Sequence, residues 1–261
     1  MIDRRSELRV ATWNVHGAVR PDLGDLAATI DALDVDVIGL QEVRRHQARH
    51  LSKALGLHCI WTFKHNGYSR LLPRFAEGLA ILSRWPVLHD GDTELGGPRS
   101  RSDYRRRVAT WATIEHPDGC FDFVDTHLAS GDDADERVLQ ALQLHGLIRE
   151  GLAHQCDHEN HRHLHRHDSP TVVVGDLNAH REPAVVDALA GELLHDAWTA
   201  TTARSRNGLT NPTPTPHQRL DHVLVPRHWA VVRAEVPDPD ESWTRRSDHL
   251  PVIATVQMRS K

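Results

Sequence analysis

At 261 residues the chain is long enough to bury a substantial core in one large α/β domain; its 39% hydrophobic share includes no run near the ~20 apolar residues of a membrane span, which points to a soluble protein. A formal net charge of −5 argues against a surface coated in positive charge for sequence-blind duplex binding, and leaves room for a local basic groove. Three widely spaced cysteines, Cys59, Cys120 and Cys156, suggest reduced thiols, and the N-terminus lacks the apolar core of a secretory signal, so a cytoplasmic location is expected.

Leu8 to Val15 is rich in β-formers and reads as a strand that delivers Asn14, His16 and Gly17 at its end. Asn14 is either a turn asparagine or a site residue. From Asp22, placed as a cap, Leu23, Leu26, Ile30 and Leu33 recur at helical spacing. A second strand, Asp36 to Val43, carries Gln41 and Glu42 near its carboxyl end. An acidic residue there has no packing purpose, and a hard cation such as Mg²⁺ takes carboxylate ligands. A short helix over His46 to Leu55 and a strand over Leu57 to Phe63 follow.

The strand Gly78 to Leu82 lies between Glu77 and Arg84. Arg84 reads either as a planar fork for phosphate or as a solvated turn residue. Arg99, Arg101, Arg105, Arg106 and Arg107, with Tyr104 among them, form the densest basic patch in the chain, just before a strand over Val108 to Glu115. That patch suits phosphate oxygens or a solvated face. His116 to Gly119 makes a hairpin turn into Phe121 to Asp125, and His127 stands just beyond that strand, where a histidine serves structure or acid–base chemistry. Asp132 or Asp133 caps a helix buried through Val138, Ala141, Leu144 and Ile148.

His154 to His167 is histidine-rich and includes Cys156, so transition-metal capture is conceivable, but the spacing matches no defined zinc finger and reads as a solvated loop. Thr171 to Val174 is a buried strand running into Gly175, where the backbone is expected to turn, and then Asp176 and Asn178. Pro183 to Ala190 looks helical, and Thr199 to His217 is a loop. Asp221 lies inside the short apolar strand Arg219 to Val225, where a carboxylate wants a partner. Asp248 and His249 precede the last strand. Joined in space, Asp221 would orient the imidazole of His249 and leave its other nitrogen free to take a proton from water.

In this order, TWNVHG, GLQEV, EGLAILSR, DTHL, GDLNA, RLDHVL and SDHLPV together resemble the endonuclease/exonuclease/phosphatase family over about Asn14 to Val252. The resemblance implies a DNase I-like, four-layered α/β sandwich of two mixed β-sheets flanked by helices. It implies one domain over 1–261, with the histidine-rich segment 154–168 as an insertion. It also implies metal-assisted, in-line attack of water on a phosphate ester. Carried over by motif, Glu42 would ligate Mg²⁺, for which Mn²⁺ could substitute, and Asn14 would support the metal or the phosphate. Asp176 would orient water or help hold metal, and Asp248 would assist there. Asn178 would stabilise the transition state, Asp221 would orient His249 as general base, and His127, backed by Glu77, would touch the phosphate and protonate the leaving oxygen. Arg84 and Arg107 join this set as substrate contacts on their position alone.

The DTHL segment is similar to the deoxyribonuclease, sphingomyelinase and inositol-phosphatase branches, which makes abasic-site repair a poorer fit. The expected substrate is therefore a phosphodiester, with nucleic acid among the candidates, acted on by a monomer. The alternatives are a phosphomonoesterase and a catalytically silent module that holds a phosphorylated ligand. A third, a metal buffer built on the histidine-rich loop, is tested by deleting that loop.

Overall fold

Val172, Val173 and Val174 are all fully buried, yet they face two different cores. Val172 and Val174 point between two sheets, whereas Val173 points out beneath a helical layer; Val223, Leu224 and Val225 repeat the pattern on the neighbouring strand. Such unbroken apolar runs mark strands covered on both faces. Each fully buried valine contributes about 1.5–3 kcal/mol of hydrophobic stabilisation.

The computed structural model describes residues 7–66, 76–96, 106–152, 169–205 and 208–259. The elements are β1 (Glu7–Asn14), α1 (Leu23–Leu33), β2 (Val37–Arg44), α2 (Arg45–Leu55), β3 (His58–Asn66), β4 (Ala76–Ser83), β5 (Val87–Leu95) and β6 (Arg107–Ile114). They continue as β7 (Phe121–His127), α3 (Ala134–Glu150), β8 (Thr171–Asp176), α4 (Pro183–Ala190), β9 (Leu194–Asp196), α5 (Ala197–Ala200), β10 (Asp221–Pro226), β11 (Ala230–Glu235) and β12 (Val252–Gln257).

The first sheet runs β11-β12-β1-β2-β4-β3 and the second β5-β6-β7-β8-β10-β9. Each has one parallel pair, β1 with β2 and β7 with β8, among antiparallel neighbours. These central strands stack face to face, β1 against β8 and β10 and β2 against β7. Helices α1 and α2 pack with the first sheet, and α3 and α4 lie together over the second. This is the expected two-sheet sandwich between helices.

Capping follows the sequence. Asp22 accepts from the Asp25 amide at the start of α1, and Asp133 accepts from the Glu136 amide at the start of α3. Gly175 differs from expectation: β8 does not turn there but continues to Asp176. Glycine is required because a Cβ would run into the carbonyl oxygen of Thr126 on the parallel neighbour. A hydrogen-bonded link crosses the sandwich below the strand ends. Gln41 Nε2 on β2 donates to Thr12 Oγ1 at 2.9 Å and to Asp125 Oδ1 on β7 at 2.5 Å. Burial pushes the Asp125 carboxyl well above the usual carboxylate range.

Cys59 and Cys120 are not joined to each other, and Cys156 lies outside the described residues with the whole histidine-rich segment. Among the described residues no helix is long and apolar enough to cross a membrane.

Candidate active site

Strand pairing alone brings three of the expected residues into one row. His127 at the end of β7 is in register with Asp176 on β8, and Asp176 is in register with Asp221 on β10. The first sheet supplies the opposite wall: Asn14 ends β1 beside Gln41 on β2. Glu42 sits where the β2–β4 register slips, with φ 55°, and Asn178 has φ 51° just past β8. Non-glycine residues in this left-handed region are uncommon and collect at sites that aim a side chain.

Asn14 joins the two sheets. Its Oδ1 accepts from the His16 amide at 3.1 Å, which turns its Nδ2 toward two carboxylates, Glu42 Oε1 at 3.3 Å and Asp176 Oδ2 at 3.1 Å. The other Asp176 oxygen accepts from the Asn178 amide at 3.0 Å, and Asn178 Nδ2 donates to the Leu128 carbonyl at 3.2 Å. Burial, with Asp221 alongside, raises the Asp176 carboxyl to about 6 against the pull of His249 and Asn14.

The loop before β12 is tied to the end of β1. Ser247 Oγ donates to the Asn14 carbonyl and accepts from the His249 amide, while Trp13 Nε1 donates to the His249 carbonyl. The imidazole is thereby fixed with Nδ1 2.8 Å from Asp221 Oδ2 and Nε2 3.9 Å from Asp176 Oδ2. Burial alone would push this imidazole down, but Asp221 and Asp176 outweigh it and lift it to about 10.

His127 is held differently. Its Nδ1 is 2.9 Å from Lys64 Nζ on β3, its Nε2 faces Asp176 Oδ2 at 3.7 Å, and Glu42 Oε1 is 4.0 Å from Nδ1. Burial and the positive charges of Lys64 and Arg107 push this imidazole well below the usual histidine range. Burial and Arg107 lower the Lys64 amine to about 7.

A divalent cation fits this donor set. Glu42 and Asp176 offer hard oxygens held together by one carboxamide, and ligand atoms of Asp176, Asp221 and His249 lie within 4.8 Å of one another. Asp221 Oδ1 is buried without a hydrogen-bond partner among the described residues. Asn14 presents its amide nitrogen here, so it spaces the carboxylates and does not offer a ligand oxygen.

A family model described as "Endonuclease/Exonuclease/phosphatase family" matches residues 11–249. The chain belongs to that family. Solved structures with the same fold include an endonuclease/exonuclease/phosphatase family protein from Bacteroides thetaiotaomicron (21% identity, TM-score 0.77, covering 98% of this chain and 99% of that one). A mannosyl-6-phosphatase from the same organism matches at 21% identity and TM-score 0.74, covering 96% of this chain and 100% of that one. The human Nocturnin catalytic domain with bound sulfate matches at 20% and 0.69, covering 97% of each chain. No curated protein matches.

Within this family member, Asn14, Glu42, His127, Asp176, Asn178, Asp221 and His249 form one connected cluster. Asp248 is turned aside: its Oδ1 meets His16 Nδ1 at 3.1 Å, a hydrogen bond that holds the carboxyl below its ordinary range although burial works the other way. Arg107 opens β6 and donates to Ser130 Oγ at 3.1 Å, near enough for its charge to act on Lys64 and His127. Arg106 instead pairs with Asp92 and Glu94, and Arg99, Arg101, Tyr104 and Arg105 lie outside the described residues.

Two expectations are corrected. Glu77 does not back His127: its Oε2 is 3.3 Å from His65 Nε2, and Lys64 occupies the position beside His127 Nδ1. Arg84 is not at the cluster: it follows β4 at the end opposite Glu77, about 23 Å away along an extended strand. There it pairs with Asp34 at 2.6 Å. Lys64, His65 and Ser247 were not singled out from sequence. The available signal for the first two was a polar pair, Lys64 and His65, closing an otherwise apolar strand.

Proposed function

We propose that this chain is a divalent-metal-dependent phosphodiesterase of the nuclease type, using in-line attack of water at phosphorus. The observation that carries the reading is the Asp221–His249 pair, with Nε2 of the imidazole turned toward Asp176. Asp221 orients the ring, and the neutral form of His249 takes a proton from the attacking water as the oxygen–phosphorus bond forms and the ester bond to the leaving oxygen breaks. Asp176 aligns that water. The second Nδ2 hydrogen of Asn178, together with Arg107, donates to phosphate oxygens that gain charge. Glu42 and Asp176 would hold Mg²⁺ or Mn²⁺, which when bound neutralises phosphate charge and competes with the proton on His249.

Phosphomonoester hydrolysis is the second reading. It is favoured by the two buried basic side chains, Lys64 and Arg107, beside the cluster, since a terminal phosphate carries more charge than a diester and would favour the ammonium form of Lys64. A screen with Mg²⁺ and Mn²⁺ over DNA, RNA, lipid headgroup esters and sugar phosphates tests both. Cleavage of diesters that chelator abolishes is expected; turnover unaffected by chelator overturns the metal assignment, and turnover of monoesters alone selects the second reading.

A further inference from the structure

Lys64 is 2% exposed and occupies the extra position where the β3–β4 register slips between Phe63 and His65, so its side chain is freed from the regular alternation of the sheet. Its Nζ lies 2.9 Å from His127 Nδ1. In its ammonium form, held below the Lys64 value of about 7, a lysine has three N–H donors and no lone pair to offer, so the ring nitrogen facing it accepts. The opposite ring nitrogen, Nε2, faces a carboxylate oxygen of Asp176 at 3.7 Å, which accepts and does not donate when ionised. The Lys64 contact is satisfied by the tautomer with the hydrogen on Nε2, and 3.7 Å to Asp176 is too long for a hydrogen bond, which leaves that hydrogen available. The Glu42 oxygen at 4.0 Å is too far from Nδ1 to compete for it.

We propose that Lys64 is a positioning residue that fixes His127 as a neutral Nε2–H donor aimed at the substrate phosphate. The proposal rests on the phosphate-ester reading above and narrows it. His127 then donates a hydrogen bond to a phosphate oxygen and keeps its proton. The leaving oxygen takes its proton from solvent, because a neutral imidazole is a poor acid. A carboxylate behind the ring would reverse this arrangement, drawing the hydrogen to Nδ1 and favouring the imidazolium. The lysine therefore gives this histidine a task different from that of His249, which has a carboxylate behind it.

The test is long-range ¹⁵N–¹H correlation of the imidazole rings in the full chain at fixed pH, with the His127 signals assigned by their loss in His127→Gln. The wild type should show a protonated Nε2 and an unprotonated Nδ1. Lys64→Met should mix the tautomers and lower kcat for bis(p-nitrophenyl) phosphate by about 10–100-fold, the range seen when a ring-orienting partner is removed, with KM changed far less. Lys64→Gln, which restores an N–H donor, should recover most of both properties. An Nδ1–H signal in the wild type overturns the proposal, as does an unchanged tautomer or an unchanged kcat in Lys64→Met. Should Lys64→Met fail to fold, the wild-type and Lys64→Gln spectra still decide. If the wild type hydrolyses no phosphate ester, the functional reading falls, while the spectra still report whether Lys64 sets the ring.

Discussion

Two buried histidines border Asp176, and they are held by opposite means. His249 has Asp221 behind it and is lifted to about 10; His127 has Lys64 behind it and is pushed well below the usual range by burial and neighbouring cations. The residue type is the same and the burial is similar, so the charge of the supporting group decides what each ring can do. In the proposed reaction one ring gains a proton and the other presents one without losing it.

Removing the first arrangement should have the largest effect. His249→Ala and Asp176→Ala are each expected to reduce hydrolysis of an aryl phosphodiester by at least ~100-fold, the scale of a lost general base. Rates within a few-fold of wild type for either variant would show that the chemistry lies elsewhere.

The same pair should be visible in stability. The folded-state value of His249 is raised from 6.5 to about 10. Its charged form therefore stabilises the fold fully below pH 6.5, and that contribution is lost as pH rises through 10. The difference in unfolding free energy between wild type and His249→Gln, measured by denaturant titration without added metal, should shrink over that window. A difference that stays constant with pH would mean that the Asp221 contact does not hold the proton on the ring.

The smallest effect should come from the arginine that stands outside the comparison. Arg84→Ala removes an exposed ion pair with Asp34 and a longer one with Asp36, so activity should stay within about two-fold and stability should change little. A large loss of activity would place substrate at the far end of β4.

Most of the fold was legible because the central strands are covered on both faces. Val172–Val174 and Val223–Val225 are continuous apolar runs, and their ends carried polar residues that packing did not need. The strands that sequence did not reveal, β5, β9 and β11, all lie at sheet edges. In β5 exposed and half-buried residues alternate along VLHDGDTEL, so the signal of burial is missing. Glu42, Asp176, Asn178, Asp221 and His249 could be named because each ends a strand or lies in a short polar motif. What stands behind His127 could not: Lys64 and Glu77 lie on paired strands, and a slip in their register, which no periodicity shows, determines which of them reaches the ring.

The carboxamide of Asn14 touches Glu42 on its own sheet and Asp176 on the facing one. The separation of these two carboxylates thus depends on how far apart two stacked layers stand, a dimension that follows the volume of side chains packed between the sheets, such as Val174, Ile38 and Phe123. Enlarging or trimming that filling is expected to act like a spacer under a pair of jaws, shifting Glu42 and Asp176 relative to one another from positions that do not touch either carboxylate.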